Sequence, residues 1–204
     1  MSIRLWAARL DRPLTDREAE IMLTVLPKER RERLLRVRQA ERRREPLCAY
    51  CILRRALWEQ YGWREFPAIA RTDRGKPHFP DYPEVHFNLS HTGGAVLVGL
   101  ADGPLGVDIE RIRPVSRRLM ARMTGAETEE AFFRRWVCWE AGQKYSGEGI
   151  GGRFPLASTP GDGVFYHEIE TFSGYAAGTA SGSGTPPEGV RRLSLDGLIQ
   201  GLFP

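Results

Sequence analysis

Leu105–Pro114 reads LGVDIERIRP and sets two carboxylates, Asp108 and Glu110, two residues apart in an otherwise apolar stretch. Side chains alternate faces along a strand, so both carboxylates point to one side while Val107 and Ile109 point to the other. Like charges at that range repel, and burial makes the repulsion worse unless a cation sits between them. Mg²⁺ suits such a place: it takes a few carboxylates and completes its shell with water and phosphate oxygens. The competing account leaves the pair on the solvent side of an edge strand, neutralised by Arg111 and Arg113.

Two other stretches carry groups of the same kind. In FFRRWVCWEAGQKYSGEG, Trp136, Glu140 and Lys144 fall at i, i+4 and i+8, one stripe of a helix. Either Glu140 and Lys144 form a surface ion pair worth about 0.3–0.5 kcal/mol, or Glu140 is a third metal carboxylate and Lys144 meets a phosphate. In FNLSHTGG, Asn88, Ser90 and a glycine turn offer hydrogen-bonding groups, and His91 binds an anion when protonated or donates to one when neutral. Lys76, in the turn GKP, adds one more cation.

The elements that must hold these groups follow from periodicity. Ile3–Leu10 is apolar enough for a first strand, and Thr15 with Glu18 three residues on has the spacing of a capping box. From Pro27 to Tyr61 apolar positions recur at helical intervals, which predicts two helices, the first strongly basic, with a break near Pro46. VHFNLSH, AVLVGLA and LGVDIERI predict a meander of three strands, the first two joined through Thr92, Gly93 and Gly94. Helical periodicity returns over Arg117–Tyr145. The remainder is rich in Gly, Ser, Thr and Pro; within it VFYHEIETF and GYAAGTASG predict a hairpin, and RRLSLDGLIQGLF a strand and a turn of helix.

Composition bounds the function classes. The 204 residues are 41% hydrophobic and 27% charged, the balance of a globular chain. Net charge is +4, concentrated in the run of arginines from Lys28 to Arg44, which is a solvated helix face, an anion-binding surface or a nucleic-acid surface. A recognition-helix motif, a zinc site and an aromatic RNA-binding signature are all lacking, so nucleic acid is not expected. Three cysteines without a secretory pattern argue for a reducing cytoplasm, with Cys48 and Cys51 as buried helix residues rather than half of a zinc site. No apolar run reaches the roughly 18–20 residues of a membrane span.

Taken in order, G-K-P, then F-N-L-S-H, then G-V-D-I-E, then W-x-x-x-E-x-x-x-K, the set resembles the surfactin-synthetase type of 4′-phosphopantetheinyl transferase. The resemblance runs over most of the chain, from D-R-P-L at Asp11 to the strand GYAAGTASG. It implies an α+β enzyme of two similar lobes related by a pseudo-twofold axis, residues 1–102 and 103–204, with coenzyme A and Mg²⁺ in the cleft between them. Position by position it implies Asp108, Glu110 and Glu140 as metal ligands, and Lys144 at the coenzyme diphosphate. It further implies Ser90 and His91 in contact with the coenzyme, Lys76 near its adenosine end, and Lys28 and Arg44 as candidates for its 3′-phosphate. The implied reaction moves phosphopantetheine from coenzyme A to a serine of an apo acyl or peptidyl carrier protein. Adenosine 3′,5′-bisphosphate leaves; Lys144 and His91 assist, and Glu140 or a water at the metal is the base. A cytoplasmic monomer is expected, with neither nucleic acid nor membrane as partner. The chain departs from the family at Trp139, where a lysine usually precedes the glutamate, and in the short segment between Pro114 and Phe132. Those departures motivate the alternative of a homologue that binds coenzyme A or a carrier protein without turnover.

Overall fold

The computed structural model describes residues 1–147 and 163–202. Along the chain run β1 (Ile3–Arg9), α1 (Asp16–Thr24), α2 (Lys28–Leu35), α3 (Ala40–Tyr61), β2 (Ala70–Arg71), β3 (Pro77–His78), β4 (His86–Thr92), β5 (Ala95–Ala101) and β6 (Leu105–Arg111). There follow α4 (Arg117–Met123), α5 (Glu129–Ser146), β7 (Phe165–Glu168), β8 (Tyr175–Ser181), β9 (Val190–Ser194) and α6 (Leu195–Gln200). The fold is a mixed α+β one. Among the described residues no helix is long and apolar enough to cross a membrane.

Two sheets matter for the site. One has the order β4-β5-β1-β9 and the other β6-β8-β7. The alternation along β1 explains how they stack. Trp6, Ala8 and Leu10 face a core built with α3 (Leu47, Ile52, Leu53, Leu57), while Ile3, Leu5 and Ala7 face Leu105, Val107 and Ile109 of β6. On its other side β6 packs against α5. The layers are thus α3, first sheet, second sheet, α5, and β6 lies between the first sheet and α5.

Local chemistry explains the elements. Thr15 caps α1: its hydroxyl accepts from Glu18 N at 3.2 Å, and Glu18 Oε2 accepts from Thr15 N at 2.8 Å, which leaves fewer orphan donors in the first turn. The predicted break at Pro46 is corrected, because Pro46 lies inside α3 and the break falls between Leu35 and Ala40. A proline inside a helix costs about 3 kcal/mol, but from Leu47 onward nine side chains of α3 are buried, enough to carry the helix through it. By contrast α2, KERRERLL, buries only Leu34 and has no apolar face to keep it collinear with α3.

The three-strand meander is also corrected. β4 and β5 pair antiparallel around Gly93 and Gly94, but β5 then pairs with β1, and β6 crosses to the second sheet to pair with β8. The β7–β8 hairpin forms as expected. β9 returns to the first sheet and pairs parallel with β1, Leu5 opposite Val190 through Arg9 opposite Ser194. Cys48 and Cys51 are buried, and burial raises both thiols, Cys48 to about 12. Residues 148–162, in the Gly-rich stretch expected to loop, lie outside the described residues.

Candidate active site

β6 pairs with β8 on one edge only; its other edge is covered by side chains. Val107 N donates to Asn88 Oδ1 at 3.0 Å, and Ile109 N to Ser90 Oγ at 3.4 Å. The carbonyl of Leu105 accepts from Lys76 Nζ at 3.4 Å, and that of Val107 from Lys144 Nζ at 3.1 Å. Residues from G-K-P, F-N-L-S-H and the α5 stripe therefore converge on one strand edge and satisfy its backbone groups, which buried strands require.

Asp108 is the centre of this edge, with 2% of its surface exposed. Its Oδ1 accepts from Ser90 Oγ at 2.7 Å and from Lys144 Nζ at 2.6 Å. Lys144 Nζ also donates to Ser90 Oγ at 2.9 Å. The surface ion pair of Lys144 with Glu140, one of the two accounts above, is not the pairing observed: among the described residues Lys144 pairs with Asp108. Burial raises the Asp108 carboxyl despite the opposing pull of Lys144. For a carboxylate so enclosed, desolvation outweighs one ion pair.

Glu110 stands at the rim. Its Oε2 accepts from Arg113 Nη1 at 2.8 Å and from Thr92 Oγ1 at 3.1 Å. The solvent-facing account of the D-x-E pair thus fails for buried Asp108, while half-buried Glu110 does have Arg113 as its partner. Arg113 also lies over the Phe133 ring at 4.8 Å. Glu140 is raised to about 7, by burial first and then by the negative charge of Asp108, with Glu110 adding to the same effect. The three carboxylates share one electrostatic environment.

Among the described residues no three acidic, imidazole or thiol groups are close enough together to hold a metal ion; Lys144 and Arg113 neutralise Asp108 and Glu110 instead. In chemistry, though not in spacing, these side chains are of the kind a divalent cation takes. Asp108 Oδ2 is buried without a hydrogen-bond partner, Glu140 is pushed toward its neutral form, and the donor set is all carboxylate oxygen, the kind Mg²⁺ takes.

Of the other expected residues, His91 stands on the α3 side of β4, with Nδ1 3.2 Å from Glu45 Oε2, and among the described residues no hydrogen bond joins it to Asp108 or Lys144. Lys76 holds the carbonyl of Tyr145 at 2.9 Å as well as that of Leu105, and burial lowers its ammonium. It lines a cleft of about 580 Å³ together with Phe79, His86, Phe87 and Tyr145. Arg44 reaches the β1 end, donating to Arg12 O at 3.1 Å, and its buried Nε has no hydrogen-bond partner among the described residues. Lys28 is exposed at the start of α2, which packs on α3, and no hydrogen bond joins it to the residues around Asp108. Trp139 is 8% exposed and lies 5.3 Å from Trp136, ring to ring.

Sequence reasoning missed Glu45 and Thr92 and set Arg113 aside from the site. Glu45 follows Arg44 in a charged run, where nothing marks one carboxylate among so many charges. Arg113 at i+3 from Glu110 was legible as a pair, though not as one that shares its partner with Thr92 of another sheet.

No family model matches the chain. It is 25% identical to 4′-phosphopantetheinyl transferase ffp of Bacillus subtilis over 97% of its own length and 100% of that protein. It is 27% identical to 4′-phosphopantetheinyl transferase Sfp of Bacillus subtilis strain 168, over 72% of each chain. With 4′-phosphopantetheinyl transferase psf-1 of Bacillus pumilus the identity is 32% over 72% of this chain and 70% of the relative.

Proposed function

The chain belongs to the 4′-phosphopantetheinyl transferase family, and from that premise we propose how its side chains carry out the transfer. The enzyme moves a 4′-phosphopantetheine group onto a carrier protein. Coenzyme A is the donor. A serine hydroxyl of the apo acyl or peptidyl carrier attacks the phosphorus nearest pantetheine and forms the new P–O bond. The bond from that phosphorus to the diphosphate bridge breaks, and adenosine 3′,5′-bisphosphate leaves with the electron pair.

Asp108, Glu110 and Glu140 would hold Mg²⁺, which when bound screens the charge that builds on the diphosphate oxygens. Lys144 orients Asp108 through Oδ1 and keeps its ammonium at the same point, where an incoming phosphate exchanges with the carboxylate as partner. Ser90 fixes both groups through one hydroxyl. Glu140, or a water beside the carboxylates, takes the proton of the serine hydroxyl. His91 presents its ring to the coenzyme, Lys76 lines the cleft at the adenosine end, and Arg44 and Lys28 serve the 3′-phosphate. The convergence of buried Asp108 and Ser90 with half-buried Lys144 at one point, beside Glu140, is the observation that carries this reading.

The chain is organised as two lobes, 1–102 and 103–204, related by a pseudo-twofold axis, and acts as a cytoplasmic monomer. Support for the lobes is the repetition of a sheet with one long helix on its outer face, α3 over the first and α5 over the second. Asp108→Ala tests the site. Incubated with coenzyme A, Mg²⁺ and an apo carrier, the unaltered enzyme adds one phosphopantetheine mass to the carrier, and the variant should lose at least about 100-fold in rate. A fully active Asp108→Ala protein overturns the assignment.

A further inference from the structure

Glu45, in the second turn of α3, has no part in the expected site, yet its two oxygens end on β4 and on the turn that follows it. Oε1 accepts from Gly94 N at 2.7 Å, and Oε2 lies 3.2 Å from His91 Nδ1. The carboxylate is supplied by α3, a helix with nine buried side chains, and it is 22% exposed, whereas the imidazole is 41% exposed. Arg44, the preceding residue, turns to the carbonyl of Arg12, which leaves the carboxylate to the turn and the ring.

The turn itself is held from three sides. Gly93 and Gly94 have φ of 48° and 88°, a region glycine enters without strain. Gly93 O accepts from Tyr175 OH of β8 at 2.8 Å, and Gly94 O accepts from Leu10 N at 2.7 Å. Together with Glu45 these bonds tie α3, the end of β1 and β8 to the two residues that follow β4. A side chain anchored on such a turn cannot follow a swinging ring; it sets where the ring stands.

A carboxylate only accepts, so Nδ1 beside it carries the proton, and Nε2 is the nitrogen left for a ligand. An anion at Nε2 also needs a donor there. Both nitrogens are then protonated, and the ring is a cation with Glu45 as its standing counter-charge. We propose that Glu45 is a positioning residue for the transfer: it holds Nδ1–H and the aim of His91 and, as counter-charge, favours the doubly protonated ring whose Nε2–H meets a phosphate oxygen of coenzyme A. This inference rests on the reading that His91 touches the coenzyme. It predicts that the effect of Glu45 appears in coenzyme binding rather than in the chemical step.

The test uses the full chain with coenzyme A, Mg²⁺ and an apo carrier, together with ¹⁵N NMR of the His91 imidazole. In Glu45→Gln the amide oxygen can still accept from Gly94 N–H, while its NH₂ donates to Nδ1 and drives the proton to Nε2. The KM for coenzyme A should rise about five- to tenfold with kcat changed less than about twofold, the scale of one charge-assisted hydrogen bond. His91→Ala should give a comparable rise, and adding Glu45→Gln to it should cause no further loss. In the unaltered enzyme without coenzyme the ring should be protonated on Nδ1. An Nε2–H tautomer there overturns the proposal whatever the variants do. So does a rise in KM for His91→Ala with none for Glu45→Gln, which leaves the coenzyme contact of His91 standing. An unchanged KM in His91→Ala overturns that contact and this inference with it.

Discussion

A Cβ at Gly106 would stand 1.9 Å from the carbonyl oxygen of Ala141, so β6 and α5 meet backbone to backbone. That contact brings the strand bearing Asp108 within reach of Lys144 from the helix. Gly106→Ala must push the two apart, and overpacking against main chain has no flexible side chain to absorb it. The expected loss is about 3 kcal/mol or more, roughly 6–12 °C in Tm for a chain of this size, with transfer activity falling too. An unshifted thermal transition would show that the approach is looser than this.

Asn88 serves β6 rather than a ligand. Asn88→Ala leaves the buried N–H of Val107 without its acceptor, which costs about 1–3 kcal/mol. Hydrogen exchange reads this locally: the Val107 amide should exchange faster, while amides of β8 that bond within their own sheet change only with global stability. Equal protection at Val107 in both proteins would contradict the bond.

Trp139→Lys would restore the family pattern on paper. At a position 8% exposed beside Trp136, a lysine loses the ring contact and buries part of a charge. Stability should fall by about 1–3 kcal/mol and kcat should not rise. A variant as stable as its parent, with faster transfer, would mean that the tryptophan merely displaces a useful cation.

Glu18 links the first helix to Arg12, 2.7 Å away, and Arg12 also holds Asp196 of α6. The hydrogen bonds from Arg12 lower the Glu18 carboxyl from 4.5 to about 2. A lowered folded-state value contributes stability that is present above 4.5 and is lost as pH falls through about 2. Urea midpoints measured from pH 6 to pH 2 should therefore decline less steeply in Glu18→Gln across that window. Parallel declines for the two proteins would remove this bridge from the acid response.

What was legible obeys short-range rules. The D-x-E alternation, the capping box of Thr15 and Glu18, and the glycine turn after Thr92 are all decided within a few residues, where sterics and hydrogen bonding act. What escaped depends on partners far along the chain. Pro46 is carried through α3 by a buried face that only the first sheet creates. Lys144 takes Asp108, 36 residues earlier, as its partner because α5 packs directly on β6. Glu45 carries no local signature, since its role exists only where α3 passes the β4–β5 turn.

The parallel pairing of β9 with β1 bears on the order in which the molecule can be made. Strand β1, residues 3–9, waits for residues 190–194 to cover one of its edges, and Leu195, Leu198 and Leu202 close the core beneath α3. During synthesis the first sheet is exposed along that edge until almost two hundred residues have been joined. Such long-range closure slows folding and leaves an unpaired strand open to other chains in the interval. A nascent chain held just short of Val190 would be a species prone to self-association, though its Asp108 strand and its neighbours are already complete.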